Sequence, residues 1–284
     1  MKKPVVVVTG ATGSQGGAAV RALLDDGATV RALTRRPDSR AAAALRAQGA
    51  LPVKGDLDDA ASLEQACAGA DLVFAVTEAM RNGAVAEERH GRTLVDASRR
   101  AGVPHLVFTS VASADRAASV PHFVSKHRIE QHLVESGLSF TILRPAIFME
   151  DLTDAKYFPP ASFGMIAKIV GRDRPLPWVS VDDIGRAVAR IARDPRRHAG
   201  RTLPLVGDVR SIEDARALFT RVDGKRPFAL AIPNAIFRRF VSEDLLLMWQ
   251  WLAREDMERD RAPLAALVDA PKDMEQFLRA RRAT

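Results

Sequence analysis

Three glycines at intervals of three, Gly10, Gly13 and Gly16, stand in the run Val8-Thr9-Gly10-Ala11-Thr12-Gly13-Ser14-Gln15-Gly16-Gly17. They fall where four consecutive valines, Val5 to Val8, give way to an amphipathic stretch starting at Gln15. A strand, a glycine turn and a helix in that order make a cradle for a pyrophosphate. Gly10 allows a tight turn, Gly13 lets backbone approach the phosphates, and Gly16 lets helix and strand pack closely. Around Thr12, Ser14 and Gln15 the free N–H groups and the positive end of the helix favour an anion. A second strand, Thr29 to Leu33, follows within about thirty residues, the context that separates a dinucleotide-binding turn from a bare structural one.

The second strand runs Arg31-Ala32-Leu33-Thr34-Arg35-Arg36. An NAD site places an acid after this strand to hold the ribose 2′-hydroxyl. None is present at its tip. Arg35 instead offers a fork of donors to a 2′-phosphate, with Arg36 as helper; the alternative is a pair of solvated loop cations. NADP(H) is the expected cofactor. Asp56, after the third strand, either accepts from the adenine amino group or turns the loop towards a helix capped by Asp58. Further along, His122 and Lys126 lie one turn apart on a predicted helix, Val120 to Ser136, and so share a face. A histidine can serve as general acid near neutral pH or simply pack. Lys126 has a surface pair with Glu130 as its plain alternative. His122, His127 and His132 recur at spacing five, which rotates each away from the last, so no metal site is expected of them. The G-x-S-x-G, P-loop and H-E-x-x-H patterns are absent.

Alternating apolar runs and amphipathic segments must position these residues. Strands are predicted at Pro4–Thr9, Thr29–Leu33, Leu51–Lys54, Asp71–Val76, His105–Thr109 and Ser139–Leu143. Helices between them end at Gly27, Gly49, Gly69, Gly102 and Gly137. This rhythm implies an α/β fold, a doubly wound parallel Rossmann sheet in the order 3-2-1-4-5-6. After Pro145 the rhythm breaks. Pro159-Pro160, Pro175 and Pro177 read as loops, Val181–Arg193 as a helix capped by Ser180, Leu203–Val206 as a late strand, and Ser211–Arg221 and Asn234–Glu258 as helices. The expected division is a dinucleotide-binding core over 1–150 and a smaller α-rich cap over 151–284, some segments of which return to the core. Phe148 follows the sixth strand at the sheet's carboxyl edge, where ligands bind in such folds. Met149, Phe163, Trp178, Phe237, Trp249 and Trp251 read mostly as the core of the cap. Tyr157, the single tyrosine, receives no role.

The chain has 284 residues, 47% hydrophobic and 27% charged, the balance of a globular protein with ample core. Its single cysteine, Cys67, excludes an internal disulfide framework and a multi-thiolate metal site. No segment has the roughly 20 apolar residues that span a bilayer, and Val5–Val8 is too short for a signal-peptide core, so a cytoplasmic protein is expected. The formal charge of +7 comes from arginines scattered along the chain, without a basic tract or nucleic-acid motif. A small-molecule substrate is therefore expected rather than nucleic acid, membrane or metal. A protein partner or a homodimer is compatible with the pattern.

Several segments together resemble the NmrA-like family of atypical short-chain dehydrogenases. They are Thr9 to Gly17, Leu33-Thr34-Arg35-Arg36-Pro37, Gly55-Asp56-Leu57-Asp58-Asp59, His122-Phe123-Val124-Ser125-Lys126, Leu143 to Glu150, and Val181-Asp182-Asp183-Ile184-Gly185. The likeness runs to about Asp194 and then thins. It implies a Rossmann fold preferring NADP(H), with a small C-terminal substrate or regulatory subdomain. Short-chain dehydrogenases carry Tyr-x-x-x-Lys on this helix, so the resemblance implies that Lys126 grips the nicotinamide ribose and that Ser110 matches the catalytic serine. Pro145 and Phe148, at the end of the sixth strand, are expected to contact the coenzyme. His122 stands where the family's tyrosine would, which puts the proton donor in question. Family members include regulators that bind the dinucleotide without turning it over, and reductases of quinones, dyes or phenylpropanoids. Two functions are expected in consequence: an NADPH-dependent reductase of a small hydrophobic acceptor, or a non-catalytic NADP(H) redox sensor acting through a protein partner. The absent tyrosine favours the sensor; the retained Lys126 and the aromatic cap favour the reductase.

Overall fold

The structure, a computed structural model, describes residues 3–153, 162–240 and 242–282. Tyr157 and the Pro159-Pro160 pair lie outside the described residues. The first half alternates strictly: β1 (Val5–Val8), α1 (Ser14–Asp25), β2 (Thr29–Thr34), α2 (Arg40–Ala47), β3 (Leu51–Lys54), α3 (Ala60–Cys67) and β4 (Leu72–Ala75). A single turn α4 (Ala79–Asn82) precedes α5 (Ala84–Arg100), β5 (Leu106–Thr109), α6 (Pro121–Glu135) and β6 (Phe140–Pro145). Then come β7 (Ile147–Phe148), α7 (Ser162–Ile169), β8 (Leu176–Val179), α8 (Val181–Arg193), β9 (Arg201–Leu205) and β10 (Asp208–Arg210). Helices α9 (Ile212–Asp223), α10 (Asn234–Phe240), α11 (Glu243–Leu252), α12 (Ala262–Leu267) and α13 (Met274–Arg282) complete the chain.

The central sheet has seven parallel strands in the order β3-β2-β1-β4-β5-β6-β9. The expected 3-2-1-4-5-6 order holds, and the late strand extends it beside β6. Alternation along β1 shows why both faces must be covered. Val6 and Val8 join the apolar layer beneath α1 and α8, while Val7 joins the one beneath α3, α5 and α6. Helix α8 lies so close to α1 that a Cβ on Gly185 would collide with the Ala18 carbonyl. Thus α8 and β9, though late in the chain, belong to the layered core.

Three expectations of local structure need correction. Pro177 lies inside β8, not in a loop. Strand β8 pairs antiparallel with β10 and parallel with β7, forming a second, three-stranded sheet. The register pairs β7 with Trp178 and Val179 only, so Pro177 needs no N–H on that side. The predicted helix Asn234–Glu258 is two helices, because Ser242 caps α11 by accepting from the Leu245 N–H. Asp59, not Asp58, caps α3, accepting from the backbone of Ala61 and Ser62. Asp58 instead meets Arg89 at 2.6 Å and His90 Nε2 at 3.0 Å. The hydrogen bond from Arg89 holds its carboxyl below the usual range. A separate apolar cluster contains Met149, Phe163, Trp178, Phe237, Trp249 and Trp251 together with Ala112, Val120 and Phe123 of the first half, so these large side chains are core.

Candidate active site

The carboxyl ends of the central strands carry the candidate residues. Gly10 adopts φ +59°, a left-handed conformation that a side chain disfavours, and its carbonyl accepts from the Gly13 N–H. A Cβ on Gly16 would collide with the Gly10 carbonyl, so the third glycine is what lets α1 start against the turn. Gly13 is the N-cap of α1 and supplies no side-chain cap. The helix's first N–H groups therefore await an acceptor, which an anion can provide. Thr12 and Ser14 are exposed beside it. Gln15 is fastened to the end of β5, two strands from β1: its Oε1 accepts from Thr109 Oγ1 at 2.7 Å. Thr9 binds β1 to the end of β4, donating to the Val76 carbonyl and accepting from the Val76 N–H.

At the tip of β2, Arg35 and Arg36 are exposed and form no ion pair among the described residues. Asp56 accepts from the Asp58 N–H through Oδ1 at 3.1 Å. Ser110 follows β5 and is buried. Its N–H binds the Leu143 carbonyl, but its hydroxyl has no partner among the described residues. A buried hydroxyl left open at a strand's carboxyl end is a place for a ligand's polar atom. Pro145 ends β6 and accepts from the Ala112 N–H, while Phe148 is half-buried in β7. Glu150 ties this segment to α8, accepting from Ser180 Oγ at 2.9 Å and from the Val181 N–H at 3.1 Å. Burial pushes its carboxyl up, against those donors.

Helix α6 starts with Pro121 at its first position, where a missing N–H costs nothing. His122 is buried in that first turn, with Nδ1 2.6 Å from Asp244 Oδ2 on α11 of the cap. Lys126, one turn on, does not pair with Glu130. Its Nζ lies 3.0 Å from Oε1 of Glu87, a fully buried acid on α5. Glu130 is taken by Arg144 through two hydrogen bonds of 2.9 and 2.7 Å. His127 and His132 contact Glu130 and Asp96 respectively, so the three histidines face three different acids. No group of three or more His, Cys, Asp and Glu suited to a metal occurs among the described residues. No helix there is long and apolar enough to cross a membrane.

The sequence reading missed Glu87 and Asp244. Glu87 looks like a solvated acid in Glu87-Glu88-Arg89. Asp244 sits in the first turn of α11, which the sequence pattern merges into one helix from Asn234.

A model of the NmrA-like family matches residues 2–278. The chain belongs to the NmrA-like family. Among curated members, the NmrA-like family domain-containing oxidoreductase FrzB of Cladobotryum sp is 30% identical over 249 residues, covering 78% of this chain and 74% of that protein. Its counterpart notA of an Aspergillus species is 34% identical over 233 residues, covering 72% and 68%. In fold, the chain is similar to Citrobacter sp. triphenylmethane reductase complexed with NADP(H), with a TM-score of 0.80 at 19% identity, covering 99% and 100%. It is equally similar to the NADPH-dependent quinone oxidoreductase QOR2 of Escherichia coli, at 0.79 and 21%, covering 99% and 100%. The negative transcriptional regulator NmrA in complex with NAD matches at 0.77 and 21%, covering 98% and 95%. The NmrA-like fold thus serves both oxidoreductases and a regulator.

Proposed function

We propose that this NmrA-like protein is an NADPH-dependent reductase of a small hydrophobic acceptor, such as a quinone or another unsaturated or carbonyl compound. The observation that carries the reading is the uncapped start of α1 behind Gly10, Gly13 and Gly16. Arg35 and Arg36, without an ion pair among the described residues and at a β2 tip without an acid, favour the 2′-phosphate form. Relatives named as oxidoreductases, and fold neighbours described with NADP(H) or NADPH, support the same class.

The residues fit the coenzyme. The backbone from Gly13 to Gly16 would hold the pyrophosphate, with Thr12, Ser14 and Gln15 around it. Arg35 and Arg36 would hold the 2′-phosphate, Asp56 the adenine end, and Lys126 the nicotinamide ribose. Ser110, Pro145 and Phe148 would border the reacting end. When bound, NADPH supplies a hydride. The protein's part is to orient the acceptor, exclude water and place a proton. His122, held within 2.6 Å of Asp244 by an ion-pair contact, would be the side chain to pass that proton. A quinone can take its proton from solvent, so His122 matters most for a simple carbonyl.

One observation favours the sensor. The same His122–Asp244 contact joins the core helix to the cap, a link through which an occupied groove would be felt by a partner. An acceptor panel separates the two. The reductase reading expects NADPH oxidation with at least one quinone, enal or imine. A silent panel, with NADPH binding intact, refutes turnover and leaves the sensor.

A further inference from the structure

Glu87 is the fourth residue of α5 and is fully buried. Helix packing explains how it comes to face the groove. One turn along α5, a Cβ on Gly91 would collide with the Ile129 side chain of α6, so the glycine brings the two helices into close contact. One turn back on each helix, Glu87 meets Ser125 and Lys126. Its carboxylate accepts from Ser125 Oγ at 2.5 Å and from Thr77 Oγ1 at 3.0 Å, and lies 3.0 Å from Lys126 Nζ. Nζ is also 3.5 Å from Thr77 Oγ1. A buried carboxylate persists only when paired and hydrogen-bonded, and this one has two hydroxyl donors and an ammonium ion pair.

We propose that Glu87 is a positioning residue: it anchors Lys126 at the nicotinamide-ribose end of the groove and makes that end select neutral hydroxyls rather than phosphate. The proposal rests on the reading of Lys126 as the ribose ligand. An ammonium has three N–H donors. The Thr77 oxygen takes one at 3.5 Å, and the ion pair with Glu87 holds the nitrogen from a second side, which leaves N–H capacity for a ligand oxygen. Glu87 also cancels the lysine's charge. A phosphate placed on Lys126 would meet the field of a buried carboxylate in surroundings that screen it poorly. At the other end of the groove, Arg35 and Arg36 have no such acid among the described residues. The two ends therefore differ in net charge, and the difference sets which way round a dinucleotide 2′-phosphate lies.

Calorimetry of the full chain with two ligands tests this. NADPH reaches both ends; adenosine 2′,5′-bisphosphate carries the 2′-phosphate but lacks the nicotinamide ribose. Glu87→Gln keeps the side chain's size and removes its charge. The expected result is NADPH affinity reduced about tenfold or more, with the bisphosphate unchanged, as loss of a charge-assisted contact at one end requires. Glu87→Asp keeps the charge but withdraws the oxygens by one methylene. It should give the same split, and serves as the test if Glu87→Gln does not fold. Equal weakening of both ligands would mean a merely structural acid and would overturn the proposal. So would unchanged NADPH binding in a folded variant. Failure of the unaltered protein to bind NADPH would instead overturn the reading of the groove, and this proposal with it.

Discussion

Replacing Lys126 by methionine should destabilise the fold, and the loss should be largely recovered by a second change at Glu87. The ammonium lies 3.0 Å from a fully buried carboxylate whose other donors are two hydroxyls. Lys126→Met leaves that carboxylate without a counter-charge, a change that costs about 3–5 kcal/mol in buried pairs. Two features place this pair at the lower end. Glu87 sits in the first turns of α5, where the helix dipole favours an anion by roughly 0.3–1 kcal/mol. The Lys126 side chain is 12% exposed, so some water reaches it. A loss of about 3 kcal/mol corresponds to a fall in Tm of roughly 6–12 °C for a chain of this order of size. In the double variant Glu87→Gln/Lys126→Met no unpaired charge remains, and most of the loss should return. Scanning calorimetry of the four proteins closes the double-mutant cycle. If the double variant lost the sum of the single losses, Glu87 and Lys126 would be energetically independent, and the coupling drawn from their distance would be wrong.

Two further outcomes are expected. If His122 passes the proton, His122→Phe should lower turnover of a carbonyl acceptor by about 100-fold or more while NADPH affinity stays within a few-fold; unchanged turnover would remove that role. Burial pushes the His105 imidazole down to about 4. Its Nδ1 lies 2.9 Å from Ser139 Oγ, and its Nε2 2.9 Å from Thr141 Oγ1, whose own proton goes to the His198 carbonyl. That arrangement suits a neutral ring with its proton on Nε2. The folded state thus binds fewer protons than the unfolded one between pH 6.5 and 4, so stability falls on acidification through that window, by up to about 3 kcal/mol at its end. His105→Asn should show a smaller fall in Tm from pH 7 to pH 4.5 than the parent, and an identical fall would contradict this account.

The parts of the fold that depend on neighbours in sequence were legible. The valine run, the glycine turn and the glycine stops prescribe strand, turn and helix in order, and the sheet order follows from right-handed crossovers. What stayed hidden depends on long-range packing. Glu87 has the local pattern of a surface acid; only the approach of α6, which Gly91 permits, buries it beside Lys126. Asp244 reaches His122 from more than a hundred residues away, and nothing near either residue predicts the contact. The Ser242 cap, followed by Glu243 and Asp244 in the first turn, was a readable signal for a new helix. It was outweighed by the apolar continuity on either side. Pro177 misled for a physical reason: its strand is paired on one side only at that residue, which proline tolerates. Of the candidate site, the glycines, Arg35, Lys126 and Ser110 were visible in the sequence, whereas Glu87 beside Lys126 and Asp244 beside His122 were not.

The central claim is that a dinucleotide bearing a 2′-phosphate lies across the glycine turn with Arg35 at its phosphate. Isothermal titration of the protein and of Arg35→Glu with NADPH and NADH tests it most directly. The account predicts one-to-one binding, with NADPH tighter than NADH by about tenfold or more in the parent, and that preference lost or reversed in the variant. Equal affinities in the parent, or a preference indifferent to Arg35→Glu, would contradict it.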